Sequence, residues 1–435
     1  MVFSRIFGSK SKAGSQSDAV ADPDDEAEAE AEAAAGDADE NHWGARASGL
    51  IPGGASTGSK RPALLFGSEL HLPTHFVRAA GCHLHTAEGE TLVDCTMALG
   101  SVALGYAEPD LTRAVIETLA GGSVSGLSPV LEVEVAERFC SVVPCAERVM
   151  FAKTGAEAMS AAIRIARTYT GRDIVVGCGY FGWHDWSSEA AGVPQATSAV
   201  YRRVPFDDIT ALERAVADAG SELAAIAIEP VIERLPSKEW VARARALADH
   251  AGAALIFDEL KTGFRLATGG YQQYSGTTPD LAAFGKALAN GHALAAVCGR
   301  EELMSAADKT WISSTLASEA GALAAAAVVL AWHDRVDVCG ELARIGVRMR
   351  EVVGGALDAS GVAGVTLEGL DPMWFLKFTD PKVEDAFIAA GVRNGVLFKR
   401  GAYNFAALAH DDDAIAEIER GASAAFVELK ERGRK

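Results

Sequence analysis

Arg148-Val-Met-Phe-Ala-Lys-Thr-Gly-Ala-Glu-Ala158 sets the fold class. Its first five residues are short, apolar and partly β-branched, as a buried strand requires. Ala156–Tyr169 then repeats apolar residues at helical spacing. Thr154 and Gly155 lie between the two. A strand running through a short turn into an Ala-rich helix is the unit of α/β layering. The pattern recurs outward from it. Strands are predicted at Asp173–Val176, Ala224–Ile228, Ala253–Phe257 and around Ala293–Cys298. Helices are predicted at Glu132–Val142, Ile209–Ala219, Val241–Ala251 and Ala320–Trp332. The expected fold is α/β, a mostly parallel central sheet sandwiched by helices. A smaller α+β domain is expected from short strands near Gly364–Leu367, Met373–Phe378 and Gly395–Lys399 and a helix from Asp412. The expected division is a tail over 1–45, an N-terminal segment of the small domain over 46–100, a large domain over 101–335 and the small domain over 336–435.

Composition narrows the class. The chain has 435 residues, 49% hydrophobic and 23% charged, which is ordinary for a globular protein and excludes collagenous and disulfide-stapled types. A formal net charge of −19 argues against a phosphate-backbone binder, and no basic patch occurs. Residues 1–40 hold eleven acids and three bases. The repeat Asp22-Pro-Asp-Asp-Glu-Ala-Glu-Ala-Glu-Ala-Glu32 offers almost nothing to bury, so a solvated, disordered tail is expected there. Met1–Lys12 lacks the apolar core of a secretory leader, and no uncharged run reaches membrane-spanning length. Seven scattered cysteines without a Cys-x-x-Cys pair fit a reducing cytoplasm and no structural zinc. Cys82-His-Leu-His85 places two histidines at strand spacing, read as structural.

Four stretches carry chemistry. Gly177-Cys-Gly-Tyr-Phe-Gly182 fits G-x-G-x-x-G after a strand, but Trp183-His-Asp-Trp is a poor helix start. A nicotinamide oxidoreductase built on Gly177–Gly182 is therefore only a remote alternative. Thr154-Gly155-Ala156 opens a strong helix, whose free N–H groups attract an anion; taken alone, a plain strand-to-helix turn with Thr154 as N-cap explains it better. Two strands end in carboxylates, Glu229 and Asp258, at the edge where open parallel sheets bind ligands. Lys286, in Ala-Phe-Gly-Lys-Ala-Leu-Ala, sits in apolar surroundings that lower an amine's pKa and free it to attack a carbonyl. Lys153 and Lys261 compete for that role with more polar flanks. Phosphate cradle, aromatic loop, strand-end Asp and desolvated Lys together are what pyridoxal phosphate requires: an anion site, a stacking ring, a partner for the pyridine nitrogen and a Schiff-base amine.

These residues resemble the class III, fold-type I aminotransferases, and within them the glutamate-1-semialdehyde 2,1-aminomutase branch. The likeness runs from Ile51 to about Ala424. It rests on Leu104-Gly-Tyr-Ala-Glu-Pro, Ile228-Glu-Pro, Ile256-Phe-Asp-Glu-Leu-Lys-Thr-Gly-Phe-Arg265 and Gly285-Lys-Ala-Leu-Ala-Asn-Gly above all. The resemblance implies Lys286 as the Schiff-base lysine and Asp258 at the pyridine nitrogen. It implies Gly155 and Ala156 at the phosphate, Tyr180 on the ring and Glu229 near the ring's substituents. Thr315 is implied at the phosphate of a neighbouring subunit, hence a homodimer. Lys60 or Arg61 would meet a substrate carboxylate, and Phe181, where the family commonly has His, would line the substrate side. Two departures stand out: Ala317-Ser-Glu319-Ala replaces a common Gly-Asn-Pro, and Tyr403-Asn-Phe405 occupies the region of the aminomutase's acidic gate. The implied function is amino transfer between an amine or amino acid and a keto or aldehyde acceptor. The alternative is an intramolecular amino shift of the aminomutase type. No metal, nucleic acid or membrane is implied.

Overall fold

The computed structural model describes residues 43–68 and 71–432. The acidic tail predicted over 1–45 falls outside the described residues up to 42; its last positions are already helical, within Trp43–Leu50. The chain divides into two compact units. One comprises Gly100–Ala103 and Pro109–Leu342, and the other the described residues up to Leu99 together with Leu104–Glu108 and Ala343 onward.

The first unit is built on a seven-stranded sheet. Its strands are β1 (Arg148–Ala152), β2 (Ile174–Cys178), β3 (Tyr201–Arg203), β4 (Leu223–Ile228), β5 (Ala254–Asp258), β6 (Leu281–Phe284) and β7 (Ala295–Gly299). Their spatial order is β1-β7-β6-β5-β4-β2-β3. All neighbours pair in parallel except β7, which runs against both β1 and β6. Continuous burial along β4, β5, β6 and β7 accounts for the unbroken apolar runs in the sequence, since a sheet covered on both faces has no polar side.

Side chains alternate across each strand. Ala254 and Ile256 of β5, Leu281 and Ala283 of β6, and Ala295 and Val297 of β7 pack with Ala158, Ala162 and Ile165 of helix α1 (Gly155–Thr170) in one core cluster. The opposite face carries Phe284, whose ring lies 5.3 Å edge-on from Phe139 of the helix Val130–Val142. Each large apolar side chain buried this way contributes roughly 1.5–3 kcal/mol. Helix α1 begins at a complete capping box. Thr154 Oγ1 accepts from the Glu157 N–H at 3.2 Å, and Glu157 Oε2 accepts from the Thr154 N–H at 2.8 Å. It ends at Gly171 in the left-handed conformation. Helix α2 (Ala320–Arg335) is buried from Ala320 to Ala331.

The second unit holds two smaller sheets. One orders Phe76–Ala80, His83–Thr86, Thr91–Asp94 and Val396–Leu397; the other orders Val365–Leu370, Met373–Phe378 and Asn404–Phe405. Helices Pro381–Arg393 and Asp412–Arg432 accompany them. His83 and His85 do lie on a strand, facing Glu417 at 3.4 Å and Thr91 at 3.1 Å.

Candidate active site

Because β1, β2, β4, β5 and β6 run the same way, their chain exits collect along one edge of the sheet. Those exits are Lys153–Gly155, Gly179–Tyr180, Glu229, Asp258 and Gly285–Lys286. The fold thereby gathers residues as far apart as Gly155 and Lys286.

At the first exit, Thr154 caps the Glu157 N–H, and the Ala158 N–H bonds the Thr154 carbonyl at 3.1 Å. The Gly155 and Ala156 N–H groups, at the first two helical positions, have no acceptor within the helix. They are the pair of donors that an anion would take, with the helix dipole behind them. A side chain at Gly155 would collide with Leu260.

Asp258 and Glu259 illustrate how strand alternation separates two adjacent acids. Glu259 turns inward, where its carboxylate is satisfied by Thr262 Oγ1 and by the N–H groups of Tyr271 at 2.7 Å and Gln272 at 3.0 Å. Asp258 shares the α1 side of the sheet with Ile256. Its Oδ1 accepts from the Leu260 N–H at 3.0 Å, while Oδ2 is buried with no partner among the described residues. A buried, unpaired carboxylate oxygen is costly and marks a place where a donor is missing. Burial, reinforced by the Glu229 carboxylate, raises the Asp258 pKa.

Lys286 follows Gly285 and itself adopts φ +49°, a left-handed conformation that costs a residue with a Cβ about 1–2 kcal/mol. Gly285 cannot be replaced freely, since a Cβ there would lie 2.7 Å from Leu260 Cδ2. Lys286 lines a cavity of about 240 Å³ with Ser101, Lys153, Gly155, Leu260 and His292. Burial lowers the pKa of its ammonium. The Asp258 carboxylate counteracts this and the Lys261 cation adds to it. The competing lysines are committed elsewhere: Lys261 Nζ donates to Glu229 Oε1 at 2.7 Å, and Lys153 Nζ to Glu319 Oε2 at 3.2 Å.

Glu229 is thus held by Lys261 on one oxygen, and on the other it accepts the Tyr180 N–H at 3.0 Å. Tyr180 is 72% exposed and free to present its ring, but Phe181 is 1% exposed and stacks on Trp186 at 5.5 Å. Consecutive residues of an extended loop point opposite ways. The ring offered to substrate by the sequence reading therefore belongs to the core, a correction to Phe181. The loop after β2 contains no helix before Gln195–Ser198. Gly182, at φ +93°, sits where a Cβ would lie 2.5 Å from that of Ala156. The glycines of Gly177–Gly182 serve close packing and do not lead into a dinucleotide-binding helix. Thr315 is exposed, in the turn that precedes α2. Lys60 and Arg61 lie in the second unit, both exposed, with Arg61 Nε donating to the Ala55 carbonyl at 3.5 Å.

Sequence reasoning missed Glu319. Its carboxylate caps α2 through the Gly321 and Ala322 N–H groups at 2.7 and 3.0 Å. It also accepts from Ser123 Oγ at 2.9 Å and from Lys153. Burial alone would raise its pKa, but these donors prevail and hold it at about 2. A Glu directly before a long Ala-rich helix was the available signal.

The family model of the class III aminotransferases matches residues 67–179 and 183–418. The chain belongs to the class III aminotransferases. This aminotransferase is 34% identical over 338 residues to the 2'-deamino-2'-hydroxyneamine transaminase of Streptomyces kanamyceticus, covering 76% of this chain and 85% of that one. It is 29% identical over 399 residues to the 3-aminobutyryl-CoA aminotransferase of Cloacimonas acidaminovorans (strain Evry), covering 88% and 95%. Among solved structures, the pyridoxal-phosphate form of the FumI protein of Sphingopyxis sp. MTA144 superimposes with a TM-score of 0.86 at 25% identity, covering 90% and 97%. An omega-transaminase from Sphaerobacter thermophilus gives 0.82 at 24%, covering 91% and 98%, and shares the fold. The protein is a pyridoxal-phosphate-dependent aminotransferase. Its aminomutase branch is not singled out by these likenesses. The residues present fit the cofactor: an orphaned buried carboxylate oxygen at Asp258, two free helix-terminal N–H groups and a desolvated amine at Lys286 line the same sheet edge.

Proposed function

We propose that this aminotransferase moves an amino group between an amine or amino-acid donor and a keto or aldehyde acceptor, with Lys286 as the amine that engages the cofactor and shuttles the proton. The observation that carries the assignment is the unpartnered Asp258 Oδ2, buried at the strand end near a lysine whose charge burial disfavours. When bound, pyridoxal phosphate supplies an electron sink for the pair left on the substrate carbon after its proton leaves.

The chain's own groups do the rest. Asp258 Oδ2 would accept the N–H of a pyridine nitrogen and keep that proton in place. The N–H groups of Gly155 and Ala156 would donate to the phosphate, and the Thr154–Glu157 capping box fixes their direction. The exposed ring of Tyr180 covers one face of the site, its backbone tied to Glu229. Lys286 Nζ, poised towards its neutral form by burial, would accept the proton that leaves the substrate carbon once the amine is free of the cofactor. Lys261, paired with Glu229, keeps a second carboxylate charge from facing the site unbalanced.

We also infer a cytoplasmic homodimer. Thr315 is exposed in its own chain, and Trp183, Trp311, Leu127 and Leu316 of the same unit are exposed large apolar residues that a second copy would cover. The two named relatives act on 3-aminobutyryl-CoA and on a neamine derivative by their names, so the donor is chosen by experiment. The holoenzyme is incubated with single amines and amino acids, one donor at a time. Amino transfer converts the cofactor to its amino form with one keto product released per site. An intramolecular mutase consumes no external donor and releases none, an outcome that would overturn the reading.

A further inference from the structure

Of the contacts that hold the loop after β2, two bear on Tyr180 and its neighbours, and only the first, the Glu229 contact at Tyr180, lies in the site already described. The second is Ser160, on the second turn of α1, one turn beyond the Gly155–Ala156 amides. Ser160 Oγ lies 2.7 Å from His184 Nδ1 and accepts from Trp186 Nε1 at 3.1 Å. Trp186 in turn stacks on Phe181 at 5.5 Å and meets Tyr201 of β3 edge-on at 5.8 Å. The hydroxyl therefore holds both aromatic residues that flank Asp185, and through the Trp186–Phe181 stack it reaches the residue next to Tyr180.

The geometry makes the coupling directional. Phe181 is buried and Tyr180 exposed, so seating Phe181 in the core is what turns Tyr180 outward. Gly182 presses onto Ala156 with no space for a side chain, so the loop crosses the helix N-terminus at close range and has little room to resettle. A buried indole N–H has one strong way to be satisfied, and Ser160 supplies it. The same helix thus carries the two amides offered to the phosphate and the hydroxyl that fixes the loop over them.

We propose that Ser160 is a positioning residue for the aminotransferase reaction: by clamping His184 and Trp186 to α1, it sets the orientation in which Tyr180 covers the cofactor ring. The inference rests on the reading of Tyr180 as the ring-covering residue, and the experiment separates the two. Holoenzymes of wild type, Ser160→Ala, Ser160→Thr, Trp186→Phe, Tyr180→Ala and the Ser160→Ala/Tyr180→Ala double variant are compared. The readouts are cofactor dissociation constant, visible circular dichroism of the bound cofactor, and kcat and KM.

Ser160→Ala is expected to weaken cofactor retention by about tenfold and to change the dichroic band, with kcat falling more than KM rises. Ser160→Thr, which keeps the hydroxyl, restores most of both. Trp186→Phe removes the N–H and keeps a ring, and shows the same dichroic change in smaller degree. It also serves where Ser160→Ala does not accumulate as folded protein. In the Tyr180→Ala background, removing Ser160 should add little. An effect of Ser160→Ala that is undiminished in that background, or a lower Tm with dichroism and cofactor affinity unchanged, overturns the clamp while leaving Tyr180 in its role. A Tyr180→Ala variant with unaltered dichroism and affinity overturns the ring-covering reading, and the clamp's purpose with it.

Discussion

Replacing Asp258 by asparagine should push activity and stability in opposite directions. Without cofactor, the carboxylate is 3% exposed and receives one backbone donor, on Oδ1. Burial, and then the charge on Glu229, raise its pKa from 3.8 to about 7. A carboxyl whose folded pKa lies above its unfolded value weakens the fold where it ionises. The cost is absent below about pH 4, grows as pH rises towards 7 and is complete above. At neutral pH it amounts to roughly 2–4 kcal/mol. Asparagine keeps the Leu260 contact and removes the charge. Lys286 loses a favourable neighbour, but burial already disfavours its charged form, so the gain is not cancelled. The cofactor-free Asp258→Asn protein should melt a few degrees above wild type at pH 8, with the difference shrinking towards pH 4.5. The loaded enzyme should lose about 10²–10³ in kcat, the usual consequence of losing one preorganised charge partner. Differential scanning calorimetry of the cofactor-free proteins across pH, together with steady-state kinetics, measures both. A cofactor-free variant that melts at or below wild type at pH 8, or that turns over within a few-fold of it, would refute the reasoning.

Other outcomes follow from the same geometry. Glu319→Gln removes the Lys153 ion pair and weakens the cap of α2, costing about 1–2 kcal/mol at pH 7. Because Glu319 is held at about 2 against an ordinary 4.5, that stabilisation is present above pH 4.5 and lost as pH falls towards 2. Urea titrations at pH 7 and pH 3 should show the gap to wild type narrowing. Gly182→Ala forces a Cβ to within 2.5 Å of Ala156 at φ +93°, which should cost about 1–3 kcal/mol and lower cofactor affinity at least about tenfold, read by equilibrium dialysis. Lys261→Met leaves Glu229 without its ion pair and should raise the cofactor dissociation constant without removing cofactor-dependent absorbance, separating it from Lys286.

Much of the site was legible because its parts are local. The exit of β1 into α1, the acid ending β5 and the lysine after Gly285 can each be recognised within a window of about a dozen residues. Helix Ile209–Ala219 and strand Met373–Phe378 have the predicted bounds. What stayed hidden joins distant positions. Lys153 with Glu319, Lys261 with Glu229, and Ser160 with His184 and Trp186 are pairings made by tertiary folding, and no periodicity encodes them. The edge strand Tyr201–Arg203 is three residues long and too short to signal itself. The burial of Phe181 is not legible because a loop has no fixed period: the neighbour of an exposed tyrosine can as easily be an anchor in the core.

Lys286 is the residue on which the chemistry turns. Borohydride reduction of the holoenzyme, followed by peptide mass mapping, tags whichever lysine is bound to the cofactor. The tag is expected on Lys286 alone, and its absence with loss of the cofactor absorbance band in Lys286→Ala. A tag on Lys153 or Lys261, or an unchanged band in Lys286→Ala, would contradict it.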